Sequence, residues 1–115
     1  MSSTAGESVD QVLVALADPT RRELLEVLGR RSACSATSLA GELPVSRQAV
    51  VKHLAVLEES GLVASRRSGR EVLFSVRPER LVATASWMRT LAATWEERLK
   101  LLKHAAEADP HALGE

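Results

Sequence analysis

Apolar residues recur along this chain in blocks of helical period, separated by short polar or glycine-containing breaks. Val9, Val12, Leu13 and Leu16 share one face of a first helix over about Val9–Ala17. Asp18-Pro19 ends it and opens a second helix, since aspartate caps a helix and proline suits its first position. That second helix carries Leu24, Leu25 and Leu28 inward and is expected to stop at Gly29. A short third helix, Ser35–Leu43, places Leu39 and Leu43 inward. After a tight Pro44-Val45 turn, a fourth helix runs from its cap Ser46 to Ser60 and stops at Gly61, with Val50, Leu54 and Leu57 buried. The period then changes. Leu62–Arg67 and Glu71–Val76 read as two strands around a Ser68-Gly69 turn, where glycine is free to adopt positive φ. Pro78 opens a last helix, Glu79–Glu107.

Helix, turn, helix and basic hairpin in that order predict a fold that is mainly α with a small β-hairpin, a winged helix-turn-helix. In such a device the second helix of the pair enters a DNA major groove and the hairpin adds contacts beside it. The residues expected to face DNA on the reading helix are Ser46, Arg47, Gln48, Val51 and Lys52. Arginine grips guanine and glutamine grips adenine with paired hydrogen bonds, and valine touches a thymine methyl. Ser46 and the free N–H groups beside it suit a phosphate oxygen, and Lys52 fits phosphate better than base. Arg66, Arg67 and Arg70 in the hairpin suit the DNA backbone or minor groove. The competing readings are a solvated helix face and a charged, aggregation-resistant edge strand. His53 is expected to pack or to make a structural hydrogen bond.

The last helix carries a second pattern. Leu81, Ala85, Met88, Ala92, Trp95, Leu99, Leu102 and Ala106 follow alternating steps of four and three, a coiled-coil-like seam that Trp87 and Leu91 broaden. A helix of that length, about 42 Å at ~1.5 Å per residue, exceeds what so small a domain covers. Part of the seam is therefore expected to meet a second copy of the chain. The expected dimer face is Val9 and Leu13 with Leu81, Ala85, Met88, Ala92, Trp95, Leu99 and Leu102. The plainer reading packs the seam on the first helix. The two tryptophans also raise a small apolar ligand, although aromatic residues at helical spacing are more often plain core.

Composition narrows the rest. With 115 residues the chain favours one domain, expected at residues 8–107, with residues 1–7 and 108–115 as flexible ends. Net charge is zero, but Pro44–Arg77 holds six basic residues against three acidic ones, a local surplus suited to reversible DNA binding. The single cysteine, Cys34, forms no intrachain disulfide and fits a reducing cytoplasm. No apolar run is long enough to span a membrane. Met1–Ser8 lacks the basic and apolar regions of a secretory signal. There is no Ser-His-Asp or Cys-His set, no paired carboxylates at a plausible cleft and no phosphate-cradling glycine loop, so an enzyme is not expected.

The stretches Leu16-Ala-Asp-Pro-Thr-Arg-Arg-Glu-Leu-Leu25, Ser38-Leu-Ala40, Val45-Ser-Arg-Gln-Ala-Val50, His53-Leu-Ala-Val-Leu57 and Glu59-Ser-Gly-Leu-Val63 resemble the ArsR/SmtB family of bacterial repressors. The resemblance covers roughly residues 9–105. It implies a homodimer that binds double-stranded DNA at an operator palindrome, represses a nearby gene and releases it when an effector binds. Metal-sensing members carry a Cys-x-Cys pair where this chain has Ser35 and Thr37, with Cys34 one residue off. Other members bind zinc through Asp-x-His and His-x-x-Glu. His104-x-x-Glu107 matches the second half, but only apolar residues stand near Leu91–Ala93. The resemblance is therefore to a subgroup without metal sites, and no metal and no cofactor are expected. A protein–protein module on the same fold and a metal-responsive repressor with an unrecognised site are the alternatives.

Overall fold

The computed structural model describes residues 2–108, with side chains from Gly6 onward. The chain up to Thr84 forms one compact unit and the part from Ala85 a second. The elements are α1 (Ser2–Leu16), α2 (Pro19–Arg30), α3 (Ala36–Ala40), α4 (Arg47–Glu59), β1 (Val63–Ser68), β2 (Glu71–Val76) and α5 (Glu79–Ala108). Among the described residues no helix is long and apolar enough to cross a membrane.

α1 begins well before the expected Val9 and occupies residues assigned to a flexible lead-in. Once the Val9–Leu16 stretch nucleates a helix, each added residue gains a hydrogen bond, and no proline stands in the way. Its inward face is also rotated from the expected one. Val12 and Ala15 are fully buried and Leu16 packs on the core, whereas Leu13 is 38% exposed. Two arginines of α2 donate to carbonyls in the last turn of α1. Arg21 donates to Ala15 O (2.7 Å) and Val14 O (3.2 Å), and Arg22 donates to Leu16 O (2.6 Å).

Asp18 caps α2 as expected, its carboxylate accepting from the backbone of Thr20 and Arg21 at 2.8 and 3.2 Å. Those bonds, that to Arg21 first, hold its pKa below the ordinary value against the opposing pull of desolvation. α2 does not stop at Gly29. It continues to Arg30, and the chain reverses at Ser32, whose φ is 33°. The space around Gly29 is open, so nothing there forces an end.

α3 is shorter than expected, because Gly41 closes it with bonds to Thr37 O and Ser38 O. Leu43 still reaches the core from the loop that follows. α4 buries Val50, Leu54 and Leu57, as its period requires. Its end is a left-handed glycine cap. Gly61, at φ 78°, donates to Glu58 O, and Leu62 donates to Leu57 O while its side chain is buried.

The hairpin pairs Val63 with Val76 through Ser68 with Glu71. β1 therefore lies one residue later than expected, and the loop is Gly69-Arg70 rather than Ser68-Gly69. Positive φ at Gly69 and not at Arg70 matches the turn that suits a tight twisted hairpin. The segment before α3 adds a further rung. Cys34 and Phe74 exchange backbone hydrogen bonds of 3.0 and 2.8 Å, which ties the wing to the start of α3. Arg80, in the first turn of α5, packs over Gly61 and donates to Ser60 O (2.8 Å) and Gln11 Oε1 (3.1 Å). α5 ends at Ala108, and the expected tail beyond it lies outside the described residues.

Candidate nucleic-acid interface

The helix pair is built by two serine caps and a shared core. Ser35 Oγ accepts from Ser38 N–H, and Ser46 Oγ accepts from Ala49 N–H, each at 3.1 Å. Leu39, Leu43, Val50 and Leu54 are buried. This leaves Arg47, Gln48, Val51 and Lys52 exposed together on the outward side of α4, where they line one shallow depression. Ser46 is exposed at the head of that face, with its oxygen already committed to capping.

Register sorts the wing arginines. Directly paired residues share a face, and successive residues alternate. Arg67 pairs with Val72 and lies on the same face as Phe74, which packs on the core. Arg66 pairs with Leu73 and points to the opposite face. Arg70 stands in the turn. A concavity of about 350 Å³ opens between the start of α3, the start of α4 and the wing, and its lining includes Ser35, Thr37, Arg47, Val51, Arg70 and Glu71. There Arg47 Nε donates to Thr37 Oγ1 at 2.9 Å. Thr37 enters the sequence reading only as a failed metal position. A bond across ten residues between two exposed polar side chains leaves no periodic signal.

Ion pairs among the described residues join Asp18 to Arg21, Arg31 to Glu42 and Arg77 to Glu79. None takes up Arg47, Lys52, Arg66, Arg67 or Arg70, so five exposed cations on α4 and the wing have no ion-pair partner among the described residues. His53 is half-buried, with Nδ1 3.4 Å from Arg21 Nη1, the structural placement expected of it. Cys34 is 5% exposed. Among the described residues no three His, Cys, Asp or Glu side chains cluster as a metal site.

The expected dimer residues divide. Leu81 packs on the core, and Val9 and Ala85 are half-buried. Met88, Ala92, Trp95, Leu99 and Leu102 are exposed, as are Trp87 and Leu91. At about 100° per residue, Met88, Leu91, Ala92, Trp95, Leu99 and Leu102 fall in a stripe roughly 100° wide.

This geometry agrees with what known proteins share with the chain. A helix-turn-helix domain model matches residues 16–66, from the end of α1 into β1. The transcriptional regulator YuzN of Bacillus subtilis is 39% identical over 77 residues, covering 60% of this chain and 84% of that protein. The regulator Rv2034 of Mycobacterium tuberculosis is 38% identical over 89 residues, 73% of this chain and 82% of its own. An ArsR-like transcriptional regulator from Rhodococcus sp. RHA1 superposes with a TM-score of 0.79 at 43% identity, covering 87% of this chain and 93% of that one. The chain belongs to the ArsR family. In this ArsR-family chain the matched helix-turn-helix segment contains the whole of α4 with its exposed face, while Arg67, Arg70 and α5 lie beyond it.

Proposed function

We propose that this ArsR-family protein is a homodimeric repressor that binds an inverted-repeat DNA operator through α4 and the wing. The observation that carries the reading is the set of five exposed cations on α4 and the wing that have no ion-pair partner among the described residues. Naked cations at the surface favour a polyanion, and a helix face bearing Gln48 and Val51 between Arg47 and Lys52 suits base edges flanked by phosphates. The relatives' description as transcriptional regulators supports the same reading.

Dimerisation rests on α5. Its apolar stripe presents one tryptophan, Trp95, and three leucines to solvent in the single chain, with Trp87 exposed beside it, a length and composition that suit a helix-to-helix interface. Two copies would set their reading helices about 34 Å apart, one turn of the duplex. No metal is assigned to the device. Thr37 is engaged by Arg47, and Cys34 is buried at the wing bridge, so the start of α3 offers no pair of soft ligands.

The test is a fluorescence titration of DNA selected by the purified protein, against scrambled duplex, over a series of salt concentrations. The expected result is preference for the selected sequence with affinity falling steeply as salt rises. Equal binding to both duplexes, or a stoichiometry of one chain per site, overturns the proposal.

A further inference from the structure

Arg47 and Gln48 stand side by side at the start of α4, and both are types that read bases. The structure separates them. The Arg47 guanidinium is tied through Nε to Thr37 on the neighbouring helix, which leaves its two terminal nitrogens without a partner among the described residues. It lines the outer depression of α4 with Gln48, Val51 and Lys52, and with Val51 it also lines the concavity between the helix pair and the wing, where Arg70 sits; Gln48 and Lys52 do not line that concavity. We infer that Arg47, braced by Thr37, and Arg70 together seat one DNA backbone phosphate in that concavity, and that base discrimination on α4 belongs to Gln48 and Val51.

Three physical points support the assignment. A guanidinium held by one of its own N–H groups has lost much of the freedom it needs to follow a base edge, but it is pre-organised for a fixed anion. Two cations from separate elements converge on one hollow without a carboxylate in ion-pairing range of either, among the described residues. The hydroxyls of Ser35 and Thr37 in the same lining are further groups that suit phosphate oxygens. Glu71 is the one acid in the lining, and it stands beside Arg70 at the base of the turn.

The inference rests on the DNA-binding reading above, and the experiment separates the two. Affinities of the full chain and of R47A, R47K, T37V and Q48A are measured on selected and scrambled duplexes across salt, with thermal melts confirming the fold of each. R47A is expected to lose about tenfold in affinity equally on both duplexes. Its slope of log affinity against log salt is expected to become shallower by up to about 1.8, the full loss of one phosphate contact at ~0.9 in each half of a dimer. R47K restores the slope. T37V keeps the slope and weakens both duplexes a few-fold, and Q48A narrows the gap between them. If R47A instead erases the preference for selected DNA at an unchanged slope, Arg47 is a base reader and the inference fails. T37V binding as tightly as the parent removes the brace. A parent protein with no sequence preference defeats the functional reading while the R47A slope still decides the phosphate seat, and a parent that binds no DNA defeats both.

Discussion

α4 and α5 carry apolar residues at nearly the same spacing and treat them in opposite ways. In α4, Val50 is 0%, Leu54 1% and Leu57 0% exposed; in α5, Trp95 is 55%, Leu99 60% and Leu102 67% exposed. The α4 stripe finds its partners in α2, α3 and the loop to β1, all within one compact unit. The α5 stripe beyond Thr84 has its apolar side chains in solvent in the single chain. Periodicity thus reports that a partner is required, since apolar area left in water costs about 25 cal/mol per Å². It does not report which molecule supplies that partner.

The contrast can be broken most sharply at its buried end. Leu54→Ala removes a side chain from the centre of the core and is expected to cost about 2–5 kcal/mol, the range for such cavities. Thermal or urea unfolding measures it, and the loss should not depend on protein concentration. Leu99→Glu tests the exposed end. A charge in the proposed helix-to-helix seam is expected to weaken self-association by about 100-fold, roughly 2.7 kcal/mol. Sedimentation should then show monomer where the parent is dimer, with DNA affinity falling alongside. An unchanged sedimentation coefficient would place the dimer contact elsewhere.

A smaller effect is expected at the joint between α4 and α5. Gly61→Ala places a Cβ 2.7 Å from Arg80 Cδ at a backbone with φ 78°. Arg80 can swing away only by giving up Ser60 O and Gln11, so strain and lost bonding together should cost about 1–3 kcal/mol. Arg80→Ala in the same background should relieve the clash, and a chemical-denaturation cycle of the two changes would show strong coupling.

The least expected effect is a pH dependence at the α2 cap. Asp18 has a lowered pKa in the folded chain, so its contribution is present above the ordinary aspartate range and is lost as pH falls through the folded value. Stability should decline on acidification in the parent, and Asp18→Asn should show a shallower decline, read from melting temperature between neutral pH and about pH 3. Equal slopes would assign the decline to other carboxylates.

Much of the fold was readable from short-range signals. Asp18, Ser35 and Ser46 announce three helix starts, Gly61 announces an end, and Leu24, Leu28, Val50, Leu54 and Leu57 mark buried faces, all as found. Each signal acts over one helical turn, so neighbours along the chain suffice to express it. Where the local signal was weak the expectation slipped. Gly29 tolerates helix and did not end one, Leu13 lies on the edge of its stripe, and a one-residue shift moved the hairpin turn.

The arrangement of the candidate site has a different origin. Arg66, Arg67 and Arg70 are equivalent as a run of letters, and the pairing of β1 with β2 sends the first two to opposite faces. The Cys34–Phe74 bridge draws the wing to the start of α3, and the Arg47–Thr37 bond crosses from one helix to the other. The amino-acid order therefore settled the succession of helices and strands, their caps and their apolar faces, because those depend on interactions within a few residues. Which cations meet in one hollow was settled by strand register and by packing on the buried leucines, which join residues ten to forty positions apart and follow no period along the chain.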